Sequence, residues 1–138
     1  MGLLDKQEKI LPLIGSLIDL VGIDQTNRWI EREELEVVPL AYIRGRNFDD
    51  SIIIVNEAEN LTEEHIKLLI ARCGKNTKII FDGDAAQADK DIFRDRNGLK
   101  LLLNLHEAPG LAEIFATIQL KTIERSIVAA AADYLDRI

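Results

Sequence analysis

The chain is poor in several things, and each shortage excludes something. It has one cysteine, Cys73. No internal disulfide can form, and the composition suits a reducing compartment. No apolar run approaches the roughly 18 residues of a membrane-spanning helix, and no basic stretch followed by an apolar core opens the chain. The expected location is the cytoplasm, with no membrane partner. Basic charge is also short: Lys and Arg number 17 against 24 Asp and Glu, a net charge of −7. A nucleic-acid footprint spread over the whole surface is excluded, although a local basic spot such as Arg44 with Arg46 is not. His65 and His106 stand apart from any cysteine or aspartate pattern, so no zinc spacing is present. Repeats, low-complexity stretches and linkers are missing. So is any GxxxxGK[ST] run, the loop that cradles nucleotide phosphates.

What is present fits one domain over residues 1–138, with 47% apolar and 30% charged residues. A chain of this length can bury about two-thirds of its unfolded surface. The most informative stretch is Ser51-Ile52-Ile53-Ile54-Val55-Asn56-Glu57-Ala58-Glu59-Asn60. An unbroken β-branched run reads as a buried parallel strand, and here it ends in a polar residue and two acids. Ligands of open α/β sheets sit beyond the carboxyl ends of such strands. Acids placed there can hold a metal or orient a water, the Walker B arrangement of P-loop nucleoside triphosphatases. Lys78-Ile79-Ile80-Phe81 repeats the layout and runs into Asp82-Gly83-Asp84-Ala85-Ala86-Gln87.

The rest of the chain alternates between helix and strand patterns. Apolar residues at Leu11, Ile14, Leu17, Ile18 and Val21 have helical spacing, and Gly22 ends that run. A short helix is expected over Asp24–Arg32 with Asp24 as its cap, carrying Trp29 onto the body. Glu36–Ile43 reads as a strand that Pro39 confines to an edge or bulge. Thr62–Cys73 is expected to be a helix, with Thr62 and His65 at the cap and third positions and Glu63 and Glu64 at its positive end, stopped by Gly74. Ala85–Asn97 reads as a polar loop, Gly98–His106 as a helix, Ile114–Leu120 as a strand and Ser126–Asp136 as a closing helix. This alternation predicts a three-layer α/β fold around a parallel sheet.

Together, Pro39-Leu40-Ala41-Tyr42-Ile43-Arg44-Gly45-Arg46, the acidic strand end Glu57-Ala58-Glu59-Asn60, Gly83-Asp84-Ala85-Ala86-Gln87 and Glu124-Arg125-Ser126 resemble the PhoH-like family, phosphate-starvation-inducible ATPases related to helicases. The resemblance runs from about Asp5 to Tyr134, and PLAYIRGR and the GDxxQ turn are its most specific parts. It implies a P-loop NTPase core cut off before the P-loop unit, with ATP and Mg²⁺ as cofactors. The P-loop would come from an upstream segment, or a second copy of the chain would complete the assembly. The family usually reads DEAQN where this chain has Asn56-Glu57-Ala58-Glu59-Asn60, and GDPxQ where it has Ala85.

Each residue so marked also has a plainer reading. Glu57 is either a solvated acid opening a loop or the carboxylate that orients water for attack on the γ-phosphate. Asn56 is a turn former or a metal ligand whose amide oxygen replaces a carboxylate beside Mg²⁺. Asp84 and Gln87 build a tight turn, or, by the resemblance, Asp84 faces the nucleotide and Gln87 senses its γ-phosphate. Arg125 is an exposed helix-end arginine or, by the resemblance, an arginine finger. Arg44 and Arg46 form a solvated turn or a fork for phosphate, whether of a nucleotide or of an RNA backbone. Two functions therefore stand: the C-terminal portion of an ATPase, or a non-catalytic relative that keeps the fold as a binding or assembly module.

Overall fold

A computed structural model describes residues 14–84, 97–105 and 107–120. Residues 14–21 are helical (α1) and Ile23–Glu31 forms α2. Gly22 separates them with φ 85°, a left-handed conformation natural to glycine. The cap of α2 is therefore Gly22 rather than Asp24, which lies inside the first turn, where its charge suits the positive helix end. Thr26 is fully buried, and its hydroxyl donates to Gly22 O at 3.0 Å.

The segment expected to be a strand over Glu36–Ile43 is not one. It joins no ladder up to Pro39, whose backbone is extended, and then closes into a 3-10 helix over Leu40–Tyr42. Proline at the cap has no N–H to give a ladder, and its fixed φ of −61° starts a turn equally well. Ile43 buries its side chain just after that turn.

The described residues form a two-stranded parallel sheet of β1 (Ile52–Val55) and β2 (Lys78–Phe81). Its register pairs Ile52 with Lys78, Ile53 with Ile79, Ile54 with Ile80 and Val55 with Phe81. Helix α3 (Glu63–Ile70) makes the crossover between the strands, which is the βαβ unit that parallel pairing requires. Its start is sharply specified: Thr62 Oγ1 accepts the His65 N–H, and His65 Nδ1 accepts the Thr62 N–H, each at 3.3 Å. This is a capping box with histidine in the usual Glu or Gln place. The helix ends at Ile70, short of the Cys73 that the sequence suggested, because residues 71–73 turn to meet Phe48. Phe48 N–H donates to Arg72 O at 2.9 Å, and Gly74 N–H donates to Phe48 O at 2.7 Å.

The core is small and sits on one side of the sheet. Helix α4 (Gly98–Leu105) packs on α3 and on the 3-10 turn that follows β1. Ala58, Ile66, Leu69 and Leu102 are the buried apolar residues there. The other face of the sheet is bare: Ile52, Ile54 and Ile80 are 70%, 66% and 52% exposed. The expectation of a buried strand is thus not met: Ile53 and Val55 are half-buried on one face, and Ile52 and Ile54 are exposed on the other, which no described element covers. Residues 115–120 lie in no ladder, so the strand expected over Ile114–Leu120 is absent. The described architecture is mixed α/β with a small parallel sheet. The first part of the Leu11–Val21 helix, most of the Ala85–Asn97 loop, His106 and the Ser126–Asp136 helix lie outside the described residues.

Candidate functional site at the strand tips

Parallel strands in register end at the same edge, and that geometry gathers the acidic residues here. Beyond Val55 come Asn56 and Glu57; beyond Phe81 come Asp82, Gly83 and Asp84. The ladder continues past the strands, with Asp82 N–H donating to Val55 O and Ala58 N–H donating to Asp82 O, both at 2.9 Å. Asn56, Glu57 and Asp84 are exposed at this edge. Gln87 and Arg125 lie outside the described residues.

Glu57 turns the chain. Its backbone is left-handed, φ 54° and ψ 44°, a conformation that costs a non-glycine residue on the order of 1–2 kcal/mol. The kink ends β1 and starts the 3-10 helix Ala58–Asn60. It leaves the Glu57 side chain in solvent and drives Ala58 and Glu59 inward, to 0% and 7% exposure. Glu59 was not singled out by sequence reasoning. Its Oε2 accepts the Asp84 N–H at 3.3 Å, which ties one strand end to the other. No local signal marks it, because the left-handed Glu57 that sends the two acids different ways is not written in the spacing.

Gly83 supplies the space for this closeness. A Cβ there would strike Glu59 Oε2 and lie 3.0 Å from Ala58 N and 3.1 Å from Glu59 N. Behind the turn, Gly98 N–H donates to Leu61 O at 2.8 Å, and Thr62 bridges Asn97. The β1 tip is therefore held between the β2 tip and the start of α4.

Arg46 is not brought to this edge. Its guanidinium donates to both carboxylate oxygens of Glu36 at 2.8 Å, a bidentate pair. Its guanidinium carbon lies 4.8 Å from the Phe48 ring centroid. Phe48 bridges to Cys73 at the edge where β1 and β2 begin, about 13 Å of strand from the tips. The Arg46 bonds hold Glu36 below the usual glutamate range and push Arg46 further up. Arg44 is exposed on the turn before Gly45. Burial raises the Cys73 thiol, which suits an inert packed cysteine rather than a nucleophile.

Among the described residues, no three His, Cys, Asp or Glu side chains converge to hold a metal. The donors at the strand tips are all hard oxygens: the Asn56 amide and the Glu57, Asp82 and Asp84 carboxylates. Such donors suit Mg²⁺ in kind. That ion commonly takes only one or two protein ligands and completes its octahedron with water and substrate phosphates.

A family model described as PhoH-like protein matches residues 3–135. A PhoH-like protein of Bacillus subtilis (strain 168) is 42% identical over 89 residues, which are 62% of this chain and 28% of that relative. A PhoH-like protein of Synechocystis sp. is 34% identical over 101 residues, 70% of this chain and 30% of the relative. Protein PhoH of Escherichia coli (strain K12) is 39% identical over 56 residues, 41% of this chain and 16% of the relative. The chain thus spans less than a third of the length of these curated relatives.

Proposed function

Because the chain belongs to the PhoH-like family, we propose that it forms the strand-tip half of a Mg-ATP hydrolysis site of the P-loop NTPase type. The observation that carries the reading is the parallel, in-register pairing of β1 and β2, which brings Asn56, Glu57 and Asp84 to one edge. In this reading Glu57 orients the attacking water, whose proton it can accept. Asn56 supplies an oxygen to Mg²⁺, which neutralises charge on the phosphates. Asp84 and Gln87 face the γ-phosphate, and Arg125 stabilises the charge that develops in the transition state. Arg46 is paired with Glu36 away from this edge and takes no part in the reading. The phosphate-cradling loop is not among the 138 residues. In this proposal it comes from a further segment of a longer protein, which would also cover the exposed face of Ile52, Ile54 and Ile80.

Hydrolysis is tested in a protein that joins these residues to a phosphate-cradling loop. Glu57→Gln is expected to lower kcat by roughly 10² or more with little change in KM, the scale of a lost general base. Hydrolysis at the parental rate would refute the role of Glu57. The 138 residues alone are expected to bind Mg-ATP more weakly than the low micromolar range, because the loop's N–H groups and lysine supply most phosphate contacts. Calorimetric titration giving a tighter Kd would overturn this division of labour.

Asn56 favours a second reading, a non-catalytic binding or assembly module. An amide there removes one negative charge from the metal's surroundings and weakens the site. Glu57→Gln then leaves the binding or assembly of the longer protein unchanged.

A further inference from the structure

Past the last ladder bond, from Asp82 N–H to Val55 O, two further hydrogen bonds cross between the strand tips: Ala58 N–H to Asp82 O at 2.9 Å and Asp84 N–H to Glu59 Oε2 at 3.3 Å. The first is a backbone bond that any sequence could make. The second depends on a side chain that is costly where it stands. Glu59 is 7% exposed, and carboxylates are seldom buried so far unless they accept hydrogen bonds. The surroundings accommodate it specifically. The left-handed Glu57 aims the next two residues inward, and Gly83 leaves open the volume that a Cβ would take from Glu59 Oε2. A leucine of similar size would fill the same space without an acceptor, so burial alone does not account for the acid.

We propose that Glu59 is a positioning residue: its buried carboxylate holds the Gly83–Asp84 turn against the tip of β1. Glu57 and Asp84 then sit at one separation, because Glu57 caps the 3-10 turn that carries Glu59 and residue 84 is tied to that turn. The consequence for chemistry rests on the nucleotide-site reading above. The joint itself does not, since it is a property of this chain's own backbone and side chains.

The test uses the full 138-residue chain, labelled for NMR, and reads amide hydrogen exchange residue by residue. Glu59→Leu is expected to raise the Asp84 exchange rate by about tenfold or more, while Ile66 and Leu69 stay within about twofold of the parent. Glu59→Gln keeps an oxygen acceptor and is expected to restore protection of Asp84. Gly83→Ala, with Glu59 intact, should reproduce the local loss by pushing the carboxylate out. A purely structural role would instead raise exchange everywhere at once and would gain nothing from the glutamine. Unchanged Asp84 exchange in Glu59→Leu, or a uniform rise, overturns the proposal. If Glu59→Leu does not fold, ¹⁵N relaxation on the unmutated chain decides: Asp84 is expected to be as ordered as β2, with S² near roughly 0.85, and a value below about 0.6 overturns the joint. Selective loss of Asp84 protection in a protein whose ATP hydrolysis Glu59→Leu leaves untouched supports the joint and refutes the nucleotide reading.

Discussion

Glu57 carries a backbone strain that its own side chain does not require. Its φ of 54° is uncommon for a glutamate, and glycine would adopt it freely. Glu57→Gly is therefore expected to raise stability by up to about 1 kcal/mol in urea denaturation, whereas Glu57→Ala keeps the strain and gains nothing. Glu36 makes a different residue-scale argument. Its carboxyl is held below the usual range by two hydrogen bonds from Arg46. A group with a depressed folded pKa contributes stability above its unfolded value and loses it as pH falls through the folded value. The stability difference between parent and Glu36→Gln is expected to be small and positive near neutral pH and to vanish in acid below the usual glutamate range. It should also shrink in about 1 M salt, because both partners are solvent-exposed. A difference that persists in acid would show that Glu36 acts through packing rather than charge.

Among the elements, α3 is the best specified. Sequence patterning, cap and packing all agree on its start. Thr62→Ala removes one acceptor of the capping box and is expected to cost about 1 kcal/mol, while Thr62→Ser keeps the bond. Guanidinium unfolding followed by circular dichroism reads the difference, and equal midpoints for the alanine and serine variants would show the box to be energetically idle. The inward side of the same helix carries more. Ile66 is fully buried at the meeting of α3 and α4, and Ile66→Ala is expected to cost about 2–5 kcal/mol. With so few buried apolar residues in the described core, that loss should leave most of the chain unfolded at 25 °C, seen as a collapsed dispersion of NMR amide signals. Elements of weaker specification were misread. Glu36–Ile43 has the composition of a strand, yet the 3-10 turn at Leu40–Tyr42 forms because Pro39 can start a turn and no neighbouring strand competes for its carbonyl groups. Ile114–Leu120 fails as a strand for the same reason: its apolar residues find no ladder among the described residues, and Ile114, Ile118 and Leu120 are exposed.

At the scale of the whole molecule, the defining asymmetry among the described residues is a sheet half-buried on one face and exposed on the other. Ile52, Ile54 and Ile80 lie in register on the open face, and apolar patches of that kind on soluble proteins tend to mark surfaces that something else covers. The isolated chain is expected to bind the hydrophobic dye ANS. Ile54→Lys with Ile80→Lys should lower that fluorescence several-fold while leaving the circular dichroism spectrum unchanged. An unchanged dye signal would place the exposed apolar surface elsewhere, for example along Leu20, Val21 and Ile23.

Sequence alone determined the strands at Ile52–Val55 and Lys78–Phe81, the capped helix between them and the family. Each rests on local pattern: β-branched runs, a cap with its third-position partner, and motifs read in order. Parallel pairing followed almost necessarily, because a crossover helix returns the second strand in the direction of the first. Only the tertiary structure decided which acids meet. Glu57 and Glu59 look equivalent on paper, and one left-handed residue sends the first to solvent and the second into the joint with Asp84. It likewise decided that Arg46 serves Glu36 at the far edge of the sheet. Both outcomes depend on contacts between residues 10 to 25 positions apart, and side-chain partners at such separations are set by packing in three dimensions rather than by any periodicity along the chain.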